Sequence, residues 1–190
     1  MPSPLGHALG GLLVGLVVAP KKRFHQAHPS ERLHQTDRTC LTLCAAFACL
    51  PDVDFLWGRH SMETHSVLVA LAIGAVVYVI DRPLRGRGAA RLALGCALAW
   101  GSHILFDWLG SDDSPPLGVM ALWPLTGDFY FANAFIFEAI SRRYAEPGFW
   151  EQNLWAIAKE LLMLGPPVAA LWWWRLAADD ADKKAADERR

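Results

Sequence analysis

Five apolar stretches, each near the length of a membrane-crossing helix, constrain this chain more than any other feature. They run from Leu5 to Ala19, Thr39 to Leu50, Ser66 to Ile80, Ala89 to Leu109 and Leu154 to Trp174. A helix needs about 20 residues to cross the hydrocarbon core, with a usual range of about 17–25. The fourth and fifth stretches reach that length. The first and third do so only with their polar ends included. The second does so only if it runs through Pro51-Asp52-Val53-Asp54 towards Trp57. A sixth stretch, Phe129 to Ile140, is shorter and aromatic. The expected architecture is all-α: a multi-pass helical membrane bundle of about five long helices and a short additional one, forming a single domain over residues 1–176. The charged tail, 177–190, mixes acids and bases and reads as a flexible, solvated segment of frayed helix.

Composition narrows the class. A chain of 190 residues suits one domain, and 53% hydrophobic against 19% charged residues is too apolar for disorder. Net charge is −1 and no basic, aromatic-interleaved stripe is present, so no nucleic-acid partner is expected. Nine Trp residues fit rings that sit at a membrane interface. Cys40, Cys44, Cys49 and Cys96 form no C-x-x-C pair and lie in apolar runs, so they read as small buried hydrophobes. Gly6, Gly10, Gly11 and Gly15 predict close helix packing in a membrane. Pro166 and Pro167 predict a kink in the last helix.

The loops supply a topology. Lys21 to Arg38 holds Lys21, Lys22, Arg23, Arg32 and Arg38, and Asp81 to Arg91 holds Arg82, Arg85, Arg87 and Arg91. These are the first and third connections, which antiparallel helices place on one side. The Gly110 to Phe129 connection carries Asp112, Asp113 and Asp128 and no basic residue. By the positive-inside rule the basic loops are cytoplasmic. The first apolar run precedes its basic residues, opposite to a cleaved signal, which predicts a retained segment with its N-terminus outside. A soluble bundle with ordinary surface charge is the rival, but apolar runs and charge asymmetry agree on one membrane topology.

Four polar clusters interrupt the apolar stretches. His7 lies near the start of the first. Asp52 and Asp54 follow Pro51 at the end of the second. His60 and His65 precede the third, and His103 and Asp107 lie near the end of the fourth. Starts of odd helices and ends of even helices share one face of an up-down bundle. All four clusters obey that rule, and their face is opposite the basic loops. His103 and Asp107, spaced i, i+4, share a helix face and make a bidentate fragment for zinc or another divalent ion. Taken alone, that pair is more simply an ion pair, Asp52-x-Asp54 is a helix cap or turn as readily as a pair of ligands, and either of His60 and His65 is more simply a structural residue. Two acids in an apolar setting are costly unless paired or metal-bound. Thr64 and Ser66 offer a helix cap or supporting hydrogen bonds to the ligands. Glu63 is a base or an exposed turn acid. His25, His28 and His34 lie in the basic loop and fall outside the site. The reach of Asp128 and Glu138 towards this end is left open by their spacing.

These residues, in this order, resemble the inner-membrane metal-dependent hydrolases, also labelled LexA-binding, inner-membrane-associated hydrolases. The family pattern runs from an early His through Pro-Asp-x-Asp and His-Arg-x-x-Thr-His-Ser to His-x-x-x-Asp and Trp-Pro. Here it falls on His7; on Pro51, Asp52 and Asp54; on His60, Thr64, His65 and Ser66; and on His103, Asp107, Trp123 and Pro124. Where the family carries Arg after the first His of its third motif, this chain has Ser61, so any anion-binding role of that Arg is lost or passes to Arg59. The resemblance implies metal-dependent hydrolysis at the cell inner membrane.

The expected site therefore holds one or two divalent ions, zinc by donor type, on His7, Asp52, Asp54, His60, His65, His103 and Asp107. Asp54 is the expected catalytic base or bridge. Water made nucleophilic near neutral pH would attack an ester, a phosphoester or membrane lipid by location. The rival is a non-catalytic scaffold with a closed structural metal site or a polar plug. Transport is weaker, because the clusters occupy one end only.

Overall fold

A computed structural model describes residues 1–19, 32–112, 115–133 and 135–188. Five α-helices carry the fold: α1 (Pro4–Val18), α2 (Arg32–Cys49), α3 (Val67–Arg85), α4 (Gly88–Trp108) and α5 (Phe149–Asp187). Among the described residues there is no strand, only two isolated bridges. Lys21, Lys22, Arg23, His25, His28 and Asp113 lie outside the described residues. Among the described residues four segments are long and apolar enough to cross a membrane: Arg38–Trp57, Val67–Arg85, Gly88–Trp108 and Phe149–Ala178.

The second span reaches membrane length by the route its sequence allows. Pro51 does not stop it. It tightens α2 into a 3₁₀ segment, Leu50–Trp57, which ends where Gly58 takes a left-handed φ of 68° and donates to the Asp54 and Phe55 carbonyls. The last helix likewise runs through Pro166 and Pro167 to Asp187 without interruption.

Helix α4 is the hub and packs against α1, α2 and α3, while α5 docks on α1. Small side chains make this possible. A Cβ added to Gly11 of α1 would sit 2.7 Å from the Ala48 methyl of α2, and one added to Gly74 of α3 would sit 2.9 Å from that of Ala97 on α4. Cys44, Ala48, Cys96 and Ala99 fill the space between as buried apolar groups. The outside is apolar too: Leu71, Val79, Ile80, Leu162 and Trp173 are exposed. An apolar exterior around a core of small residues is the arrangement for a hydrocarbon solvent.

The aromatic stretch 129–140 is not the short helix its sequence predicts. It runs irregularly across the C-terminal end of α4. Ala132 N–H donates to the Trp108 carbonyl (2.8 Å), Ile136 N–H to that of Leu109 (2.8 Å), and Ser111 N–H to that of Phe137 (2.9 Å). A helix leaves its last carbonyls without partners, and this segment satisfies two at the end of α4. Ile140 N–H donates to the Met1 carbonyl and Met120 N–H to that of Ser61, so the described parts of the connection between α4 and α5 form a cap stitched to the first and third helix starts.

Candidate metal centre

Beneath that cap the four polar clusters meet. Ser3 caps α1, its hydroxyl accepting from Gly6 N–H, and Pro4 opens the helix, which brings His7 one turn inside. The Glu160 carboxylate of α5 accepts from the Ser3 N–H (2.6 Å) and hydroxyl and fixes this end from the other side. The 3₁₀ winding after α2 turns Asp52 and Asp54 to opposite sides of one ring, that of His65. A second short 3₁₀ turn, Glu63–His65, delivers His65, and the last turns of α4 deliver His103 and Asp107.

The geometry separates two layers. In the inner layer, His103 Nε2 lies 3.0 Å from His65 Nε2. It is also 3.0 Å from Asp107 Oδ2 and 3.5 Å from Asp52 Oδ1. His65 Nε2 lies 3.3 Å from Asp107 Oδ2 and 3.8 Å from Asp52 Oδ1. Four ligand atoms around a tetrahedral zinc, at bonds of about 2.0–2.2 Å, are roughly 3.3–3.6 Å apart. These five separations bracket that value. Both Asp107 oxygens are buried and have no hydrogen bond, despite nearby imidazoles. A buried carboxylate without a donor is costly, and one that shares a focus with two imidazole nitrogens fits a cation. His7 stacks on His103 with ring centroids 3.8 Å apart. Its Nε2 lies 3.4 Å from Asp107 Oδ1, beside this set.

The outer layer orients the inner one. His103 Nδ1 donates to the Ala48 carbonyl (2.7 Å), which leaves Nε2 for the focus. His65 Nδ1 lies 3.1 Å from Asp54 Oδ2, which also accepts from the Thr64 hydroxyl (2.7 Å). His60 Nδ1 donates to the other Asp54 oxygen (3.0 Å). Metal-binding imidazoles are held in this way, with the distal nitrogen on a carbonyl or carboxylate. Burial alone would lower the His65 imidazole, but the carboxylates of Asp107, Asp52 and Asp54 outweigh it and hold it well above its ordinary value.

All seven expected ligands thus come together, but not in one role. Asp52, His65, His103 and Asp107 form one group with metal-ligand spacing, and Asp54, His60 and His65 form a second. Three donors already occupy Asp54, which leaves it little capacity as a base. Of the two expected supports, Thr64 serves Asp54, whereas the Ser66 hydroxyl caps α3 by accepting from Val69 N–H (3.2 Å). Asp128 bonds to Thr126 and Glu138 to Lys159.

Two residues at this end escaped the sequence reading. Glu160 had a signal, an acid inside an apolar run. Arg142 had none beyond lying in the cap. Its guanidinium lies 4.0 Å from the Phe55 ring centroid, with Nη2 3.3 Å from His60 Nε2. Arg59, the expected heir of the missing Arg, is instead paired with Glu63. Ser61 is buried, its hydroxyl on the Met1 sulfur.

The family described as YdjM inner membrane protein matches residues 1–177. Comparison with curated proteins and with solved structures gives no match. The family description names a membrane location and no reaction.

Proposed function

Since the chain belongs to the YdjM inner membrane protein family, we propose that it is a membrane-bound, metal-dependent hydrolase acting on an ester. The observation that carries this reading is the inner layer. Two imidazole nitrogens and two carboxylates share one focus, and Asp52 alone keeps part of its side chain, 23%, open to solvent. Zinc is the ion this donor set suits best. A divalent ion held there supplies a Lewis acid and makes water a nucleophile near neutral pH.

The chain's own groups do the rest. His65 and His103 are held in one tautomer by Asp54 and the Ala48 carbonyl. His60 is backed by Asp54 on Nδ1 and turns Nε2 to a cavity at the protein surface, so it is placed to move a proton between water and a leaving group. Asp54 thus acts in this reading as an orienting carboxylate, with His60 in the proton-transfer role. The basic residues at the far ends of α3 and α4 favour an extracytoplasmic site, and a reporter fused after Arg85 would then report a cytoplasmic location.

A closed structural site is the second reading, favoured by one observation: His65, His103 and Asp107 are buried, and with Asp52 they suffice for a tetrahedron. Cobalt substitution separates the two. An open position predicts that the visible spectrum of the cobalt protein shifts on adding small anions. A spectrum indifferent to anions assigns the closed structural site and defeats the hydrolase reading.

A further inference from the structure

We propose that Arg142 is the seat for a phosphate oxyanion of the substrate, which narrows the hydrolase reading above, on which this inference rests, to phosphoesters. A cavity of about 150 Å³ opens beside the metal centre, lined among others by Arg59, His60, Asp112, Ile140 and Arg142. At roughly 30 Å³ of liquid volume per water, it holds a tetrahedral oxyanion with a few waters to spare. His60 is the wall shared with the metal centre, its Nδ1 3.7 Å from Asp52 Oδ1 and 3.0 Å from Asp54 Oδ1.

Arg142 differs from the arginines around it. Arg59 is paired with Glu63 and Arg143 with Glu146. Among the described residues no carboxylate pairs with Arg142. Its charge is nevertheless held in place, the flat face on Phe55 and one edge on His60 Nε2. Stacking consumes the face of a guanidinium and leaves its edge of N–H donors available. An edge-on, preorganised guanidinium matches the paired oxygens of a phosphate. Asp112 lines the same cavity, and its carboxylate accepts from Gly118 N–H (3.2 Å), so the anion belongs on the Arg142 side. An oxyanion that takes the Arg142 edge also releases His60 Nε2 for proton transfer.

The test is binding of inorganic phosphate to purified, zinc-treated protein in detergent, followed by ³¹P NMR, with metal content measured on the same samples. Arg142→Ala is expected to weaken phosphate binding at least ~10-fold, the loss of a charge-assisted contact. Metal content should not change, Arg142→Lys should recover part of the affinity, and Arg59→Ala should have little effect. Phosphate bound equally by wild type and Arg142→Ala, or not bound by wild type, overturns the seat. A wild type without metal defeats the hydrolase reading instead, and an Arg142-dependent phosphate affinity in that protein still upholds the seat. Nanodiscs containing phosphatidic acid, set against phosphatidylcholine alone, identify the source. Displacement of phosphate by the former assigns a lipid headgroup, and no displacement assigns a water-soluble phosphoester.

Discussion

The two ends of α4 carry opposite chemistry on one rod. Around Leu92 and Cys96, helices α1, α2 and α4 meet through small apolar groups. About two turns further on, His103 and Asp107 meet His7, Asp52 and His65, with Asp107 buried and without a hydrogen bond. The apolar cluster is explained by packing, and the buried Asp81 at its edge is paired with Arg85. The polar end is not explained by packing, because buried charged groups are often no more stabilising than apolar side chains of the same shape. Within an apolar bundle such groups are expensive and belong to function. The contrast teaches that one end holds the helices together and the other is shaped for something it binds.

The largest expected effect comes from exchanging that chemistry. His103→Leu with Asp107→Leu removes one imidazole and one carboxylate together, and leaves His65 between Asp52 and Asp54. This variant should lose all bound metal, yet in chelator its thermal stability should equal or exceed that of wild type. Cys96→Ala at the other end should keep the metal and cost about 1 kcal/mol in thermal unfolding. If the double variant fails to fold while Cys96→Ala is also metal-free, the contrast is broken, because both ends would then be structural.

A smaller effect separates the two layers at the polar end. Asp54→Asn keeps the shape of the side chain but weakens its hold on His65, His60 and Thr64. Metal affinity, measured by chelator competition, should fall ~10–100-fold, as for an orienting partner. Complete loss would make Asp54 a ligand, and no loss would remove it from the centre.

Much of this arrangement was legible in the sequence. Helix parity alone places His7, Asp52, His65, His103 and Asp107 at one end, because it depends only on counting apolar runs. The same count predicts the five helices. What periodicity cannot show is which way a 3₁₀ turn aims its side chains. Asp52 and Asp54 are two residues apart, yet one faces His65 Nε2 and the other Nδ1. One therefore joins the four-residue group around His103 and Asp107, and the other the group of His60 and His65. The stretch 129–140 misled for a related reason. Its aromatic, apolar run looks like a buried helix, but its backbone donors are claimed by the carbonyls at the end of α4. Arg142 lies in that irregular cap, where no period reports on side-chain direction.

The central claim is that the inner layer binds one divalent ion. Metal analysis of the purified protein, beside Asp107→Ala prepared identically, tests it most directly. The expected result is one ion per chain in wild type and none in the variant, with helical content unchanged. A wild type that takes up no ion, or a variant that retains its ion undiminished, would contradict the account.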